Sequence, residues 1–284
     1  MKVLGIVSSP RKAGNSELAV KEILMRLPES WEREMIRLNE LDLEYCTACY
    51  SCIPADKKCR LNDDLEFFLE HVRRSDKIVI GAPAYYLGGH TAMKVTLDRF
   101  LSIVNNYDDF KGKDCVFIGS YGRPGSDGLL KENMVIFARK LHLDIVDSQI
   151  ILTANPGDSV QGDNLRALHR LAASIENPPE KPYQTDGEIT CPYCTSRAIT
   201  LMEDGSWKCT VCHGVGTIEN KDGKYGLDYD PNNKDYNFSL EDFKSHADYL
   251  AKMKQLFLDT RHKIKELQAK YADVDFWVRP EKSA

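Results

Sequence analysis

Over the first 175 positions, short apolar runs alternate with amphipathic stretches. KVLGIV (2–7) is followed by a polar turn and then by SELAVKEILMRL (16–27), where Leu18, Ala19, Ile23 and Leu27 recur near helical period. The same alternation continues as a second strand at 33–38, a helix over Asp63 to Val72, and a strand KIVIGAP (77–83) ending in Pro83. A helix around 90–104, a strand DCVFIGS (114–120), a helix near 129–142, a strand at 145–154 and a helix at roughly 159–175 complete it. Five strands that are apolar on both faces, each followed by a helix, predict an α/β fold: a five-stranded parallel sheet with helices on both faces. In such folds ligands sit in the crevice beyond the carboxyl ends of the strands, so the loops after strands one, three and four are where a site is expected.

The pattern changes after residue 176. ENPPEKPYQTDG (176–187) loses periodicity and clusters prolines, which marks a linker. A small cysteine-bearing unit follows, then the polar, turn-rich stretch NKDGKYGLDYDPNNKDYN. A last helix at about 239–272 carries Leu240, Phe243, Ala247, Leu250, Met253, Phe257, Ile264 and Leu267 on one side, suited to packing across the main domain or against a second subunit. The expected division is 1–180 for the α/β domain, 187–220 for a small metal-binding ribbon and 221–284 for an extension with the C-terminal helix. No internal repeat interrupts this order.

Composition narrows the function classes. The 284 residues are 42% apolar and carry a formal charge of −5, which gives no basic field for nucleic acid or an anionic membrane. The opening run is shorter than a signal-peptide core, and no stretch approaches the roughly 18 apolar residues of a membrane span. A cytoplasmic protein is expected, in which clustered cysteines bind metal or do chemistry more often than they form disulfides.

Two loops carry candidate ligand chemistry. SSPRKAGNS (8–16) joins strand one to helix one, where unpaired backbone N–H groups and a partial positive charge favour an anion. Ser8, Ser9, Asn15 and Ser16 add neutral donors, Arg11 a forked cation, and Gly14 a close backbone approach. The loop has neither the GK[ST] of a triphosphate loop nor the three glycines of a dinucleotide turn, and its donors fit a single phosphomonoester. It resembles the FMN-phosphate loop of the flavodoxin-like NAD(P)H-dependent FMN reductase family, close to GSPRxxGNT, with Ser8 in place of glycine and Ser16 in place of threonine.

That family also carries an SPxY segment after strand three, then a helix with a lysine and an Asp-Arg pair. GAPAYYLGGHTAMKVTLDRF matches it at Pro83, Tyr85, Lys94, Asp98 and Arg99, with Ala82 replacing the serine. The resemblance implies that Pro83, Ala84, Tyr85, Tyr86, Leu87 and Gly88 lie along a flavin ring, mostly through backbone, with Ser120, Tyr121 and Gly122 opposite. Ser9, Arg11, Asn15 and Ser16 would hold the FMN phosphate. The tyrosines can equally be plain strand-end packing, His90 reads as a polar helix-start residue, and no catalytic side chain stands out.

Nine cysteines divide into two sets of four and Cys115, a small apolar residue inside a strand. Cys46, Cys49, Cys52 and Cys59 follow CxxCxxCx6C, which lets one loop wrap three corners of a cubane. A [4Fe–4S] cluster fits better than zinc, which prefers two separated knuckles, and disulfides or free thiols stay open. Within the resembled family, the iron–sulfur flavoproteins of anaerobes and archaea carry a compact four-cysteine motif in this position. The second set, Cys191, Cys194, Cys209 and Cys212, forms two CxxC pairs fourteen residues apart, as in a zinc ribbon or rubredoxin. Zinc, or iron, holding a unit too small for its own core is the expectation. CTVCH (209–213) also spells a c-type haem site, but covalent haem would strand Cys191 and Cys194.

The resemblance implies a homodimeric or homotetrameric flavin-dependent oxidoreductase that couples FMN to the cluster and passes electrons from NAD(P)H or ferredoxin to a small acceptor. A plain flavin or quinone reductase with structural zinc, and a non-catalytic metal-binding sensor, are the alternatives.

Overall fold

The computed structural model describes residues 1–54, 57–180, 188–233, 236–269, 271–272, 276 and 278. Five strands, β1 (Lys2–Val7), β2 (Glu32–Arg37), β3 (Lys77–Tyr85), β5 (Asp114–Tyr121) and β6 (Asp144–Leu152), form a parallel sheet in the order β2-β1-β3-β5-β6. A two-residue strand, β4 (Gly88–Gly89), folds back on the end of β3. With β4 set aside, this order reverses between β1 and β3, and the crevice of a doubly wound sheet opens at such a reversal.

Alternation within each strand divides the core in two. Leu4, Ile6, Ile78, Ile80 and Phe117 face α2 (Leu65–Arg73) and α4 (Leu130–Lys140), meeting Phe68, Met134 and Phe137. Val3, Val7, Val79, Val116 and Ile118 face α1 (Asn15–Arg26) and α5 (Gly162–Glu176), meeting Val20, Ile23, Leu168 and Leu171. Helix α1 lies close on the sheet because two strand positions lack a Cβ. One at Gly5 would sit 2.7 Å from Val20 Cγ1, and one at Gly81 would sit 2.5 Å from Val20 Cγ2 and 2.8 Å from the Ser16 carbonyl oxygen.

The helix read at 90–104 is shorter. Helix α3 (Thr91–Leu97) ends at its C-cap Asp98, and a tighter turn follows at Phe100–Ile103. Two interactions mark the break: Thr96 bonds back to the Ala92 carbonyl, and Arg99 is drawn into the protein by Asp63.

The C-terminal third builds a second, antiparallel sheet from β7 (Ile199–Leu201), β8 (Ser206–Cys209), β9 (Val215–Lys221) and β10 (Lys224–Tyr229) in the order β10-β9-β8-β7. The stretch read as polar and turn-rich thus holds a hairpin. Its turn is Asp222-Gly223, both left-handed, a two-residue connection that matches strand twist. Trp207 is fully buried and donates its indole N–H to the Asp228 carbonyl at 3.0 Å. The ribbon shares one apolar cluster with α2 and α4.

Helix α6 (Leu240–Ala269) docks by its N-terminal part, Phe243 packing against His142 with ring centroids 4.3 Å apart and Ala247 resting on the same cluster. Met253, Leu256, Phe257 and Leu267 further along are exposed, so within this chain the stripe does not pack across the main domain. Of the linker read at 176–187, residues 181–187 lie outside the described residues. No described helix is long and apolar enough to cross a membrane.

Candidate functional site

A cleft of about 380 Å³ opens at the carboxyl ends of β1, β3, β5 and β6. Its floor is the loop between β1 and α1, which contributes Ser9, Arg11, Asn15 and Ser16. Helix α1 starts after Gly14 with no side chain capping it, which leaves its first N–H groups for a ligand. Ser8 Oγ is buried without a hydrogen-bond partner among the described residues. Ser16 Oγ, also buried, meets Ser120 Oγ at 3.0 Å across the cleft. An uncapped helix start ringed by serine hydroxyls and the exposed Arg11 is the donor set a phosphomonoester requires, so these residues fit the phosphate end of FMN.

Two connections in this floor are not visible in the motif. Asn15 turns away from the helix start: its amide donates to the Asn155 carbonyl at 2.9 Å and its Oδ1 accepts from Gly157 N at 2.9 Å. It ties the loop after β6, Thr153 to Pro156, to the cleft as a further wall. Arg37, at the end of β2, donates to the carbonyls of Ser9 at 2.8 Å and Arg11 at 3.2 Å and pairs with Glu17 at 2.5 Å. Nothing local in the sequence around Arg37 announces this brace.

Burial acts to raise the Glu17 carboxyl, but hydrogen bonds from Lys21, Arg37 and the Ala13 amide outweigh it and bring the group down to about 2, from an ordinary 4.5. A carboxyl lowered by folding contributes stability that is complete above its unfolded value and disappears as pH falls through the folded one. Urea unfolding between about pH 5 and pH 2 should therefore show wild type losing on the order of 2 kcal/mol relative to Glu17→Gln. Parallel curves for the two proteins would show that Glu17 gains nothing from its partners.

The second wall is the end of β3. Pro83, Ala84 and Tyr85 line the cleft, while Tyr86 and Leu87 form the tip of the β3–β4 hairpin, Tyr86 being fully exposed. Both tip residues are left-handed, with φ 45° and 64°, a costly conformation for side chains of this size. The region before α4 holds the tip in place. Leu129 N donates to the Leu87 carbonyl at 2.7 Å, Asn133 Oδ1 accepts from Gly89 N at 2.8 Å, and a Cβ on Gly128 would lie 2.3 Å from Leu87 O. Gly88 pairs with Tyr85 in this hairpin and does not line the cleft. Ser120, Tyr121 and Gly122 face this wall across the cleft. His90 caps α3, its Nδ1 accepting from Ala92 N, and burial lowers its imidazole.

Of the two cysteine sets, the structure gathers the second. Cys191, Cys194, Cys209 and Cys212 are buried with their sulfurs all within 4.8 Å of one another. Cys191 and Cys212 lie 3.5 Å apart, and Cys194 and Cys209 3.7 Å. Metal–sulfur bonds of about 2.3 Å in a tetrahedron place sulfurs about 3.8 Å apart, so the set fits a single zinc or iron ion. Cys212 N and Gly214 N point at the Cys209 and Cys212 sulfurs, at 3.5 and 3.4 Å.

The first set lies in the loop after β2, at the same end of the sheet as the cleft. Cys46 and Cys49 are exposed and Cys52 and Cys59 half-buried, and among the described residues they form no compact group like the second. A cubane spreads its four thiolates more widely than a single ion does. Left-handed Ala48 and Tyr50 bend the chain on either side of Cys49. Hydrogen bonds from Ser51 lower the Cys49 thiol to about 7. Three anchors fix the loop: Ile53 is buried, Asn105 donates to the Ile53 and Pro54 carbonyls at 3.0 Å each, and Arg99 bonds both flanks. Arg99 Nη1 donates to the Glu44 carbonyl at 2.6 Å and to Asp63 at 2.5 Å, and Nη2 donates to Cys59 Sγ at 3.3 Å. Its Nε is buried with no acceptor among the described residues, which leaves a donor for a sulfur-rich group at this loop. Four cysteines on one loop, one of them bonded by Arg99, are a donor set that fits an iron–sulfur cluster.

A family model described as NADPH-dependent FMN reductase matches residues 1–155. An iron-sulfur flavoprotein of Archaeoglobus fulgidus is 35% identical over 205 residues, spanning 72% of this chain and 92% of its own. An iron-sulfur flavoprotein of Methanocaldococcus jannaschii is 37% identical over 100 residues, spanning 35% of this chain and about half of its own, 51%. A solved structure titled flavone reductase superposes over 99% of this chain and 100% of its own with a TM-score of 0.77 at 21% identity, a likeness of fold.

Proposed function

Because the chain belongs to the NADPH-dependent FMN reductase family, in its iron–sulfur flavoprotein branch, and is a flavin-dependent oxidoreductase, we propose that it couples FMN in the cleft to a [4Fe–4S] cluster on Cys46, Cys49, Cys52 and Cys59. FMN exchanges electrons in pairs or singly and the cluster exchanges them singly, so together they join a two-electron partner to a one-electron partner. The observation that carries this reading is the uncapped start of α1 opening into the cleft, with Ser9, Arg11 and Ser16 lining it.

In this reading the chain holds, orients and shields. The α1 N–H groups, Ser9, Arg11 and Ser16 grip the phosphate, with Asn15 fastening the neighbouring wall. The backbone of Pro83 to Gly88 lies along the ring, and Ser120 to Gly122 close the opposite side. The four cysteines of 191–212 hold zinc, which fastens the ribbon to the main domain. NAD(P)H or reduced ferredoxin supplies electrons and a small molecule receives them. The working form is a homodimer or homotetramer in the cytoplasm.

Anaerobic purification with a visible spectrum and metal analysis tests the assignment. About four irons, one zinc and one FMN per chain are expected from the ligand inventory. A preparation without flavin absorbance, or with one metal ion on the 46–59 loop, would sink it.

A further inference from the structure

We infer that Arg99 tunes the cluster of the 46–59 loop through a directed hydrogen bond to Cys59, and so sets how readily electrons pass to it. The inference rests on the cluster assignment above and concerns a residue outside the ligand set. Arg99 is 2% exposed and lies at the end of the segment that begins on the cleft wall at Ala84 and runs through α3.

Each N–H of its guanidinium has chemical meaning. Nη1 joins the Glu44 carbonyl and Asp63, the chain on either side of the cysteine loop. Nη2 reaches Cys59 Sγ at 3.3 Å and Asp63 Oδ1 at 3.1 Å. Nε is left without an acceptor among the described residues. The Asp63 carboxylate, 2% exposed in its side chain, neutralises the guanidinium across a buried pair. The net charge of the pair at the loop is therefore near zero, and what reaches the sulfur is an oriented N–H dipole.

Reduction adds negative charge to a cluster and to its thiolates. A donor aimed at a ligand sulfur stabilises that added charge, which raises the reduction potential. A lysine can keep the Asp63 pair, yet as a point charge without the planar fork it cannot serve Asp63, Glu44 and Cys59 together. Arg99 is accordingly a positioning residue, acting on the cluster through its ligand.

The test uses anaerobically purified full-length protein with its cluster counted by iron and sulfide analysis. EPR-monitored redox titration is run on wild type, Arg99→Lys and the double variant Arg99→Gln with Asp63→Asn, which leaves no buried carboxylate unpaired. Both variants are expected to shift the cluster midpoint to lower potential while the flavin midpoint stays in place. Exchange into deuterated water is expected to remove a strong proton coupling from the reduced wild-type cluster that the double variant lacks. Should the double variant fail to assemble a cluster, Arg99→Lys decides alone: a wild-type midpoint in it overturns the inference. Absence of a cluster from wild type would instead defeat the assignment of the loop.

Discussion

Replacing Cys194 by Ser is expected to unfold the antiparallel ribbon, leave the parallel sheet folded and weaken FMN binding about tenfold. The first effect follows from scale. The ribbon's buried centre is the four sulfurs and Trp207, and a structural metal ion contributes folding free energy of roughly 10 kcal/mol that so small a core cannot replace. The effect on flavin follows from Arg197, three residues past Cys194 itself. Its backbone N–H bonds Glu132 at 2.9 Å, and its guanidinium donates to Asp127 at 2.7 Å and to the Gly128 carbonyl at 3.1 Å. Gly128 and Leu129 are the residues that hold the Leu87 turn. Losing a charge-assisted bond at this junction, worth roughly 1.5 kcal/mol, corresponds to about a tenfold change in affinity. Arg197→Met separates the two effects, since it keeps all four ligands: metal content should be unchanged and FMN fluorescence titration should show the same weakening. Equal FMN affinity in wild type and both variants would mean the ribbon and the cleft are independent.

The second large effect is expected from a single methyl group. Gly81→Ala places a Cβ 2.5 Å from Val20 Cγ2 and 2.8 Å from the Ser16 carbonyl oxygen, and a backbone atom cannot step aside as a side-chain tip can. Helix α1 must lift off the sheet, at a cost of about 2–3 kcal/mol for overpacking. Because Ser16 opens that helix, the lift also spreads the phosphate loop, and FMN affinity should fall together with stability. Gly226→Ala is the control: nothing lies within 4 Å of its added Cβ, so the urea midpoint should barely move. A Gly81→Ala protein with wild-type midpoint and wild-type FMN affinity would contradict the close seating of α1.

Much of this architecture could be read along the chain because its causes are local or periodic. The parallel sheet follows from runs such as KVLGIV, whose alternate residues enter the two opposite cores. The metal ribbon follows from two CxxC pairs at a ribbon's spacing. What escaped were long-range partnerships. Arg37 and Ser9 are 28 residues apart, Arg99 and Asp63 36, and Arg197 and Asp127 70, and no periodicity links such positions. The β9–β10 hairpin escaped for another reason. Its strands are polar and half-exposed, so the apolar pattern is weak, yet Asp222-Gly223 was a usable turn signal. The Thr153 to Pro156 wall could have been found by treating the fifth strand's loop like the others.

The hairpin that borders the cleft holds one more lesson. A tip of this shape is ordinarily made from Asn-Gly, and the chain spends Tyr86-Leu87 there instead. Anyone seeking a more heat-resistant protein would be drawn to swap in the easier pair, and the exchange would succeed as thermostabilisation. It would also erase an aromatic ring and an isobutyl group at the rim of the crevice, so that durability and workmanship at this corner pull in opposite directions.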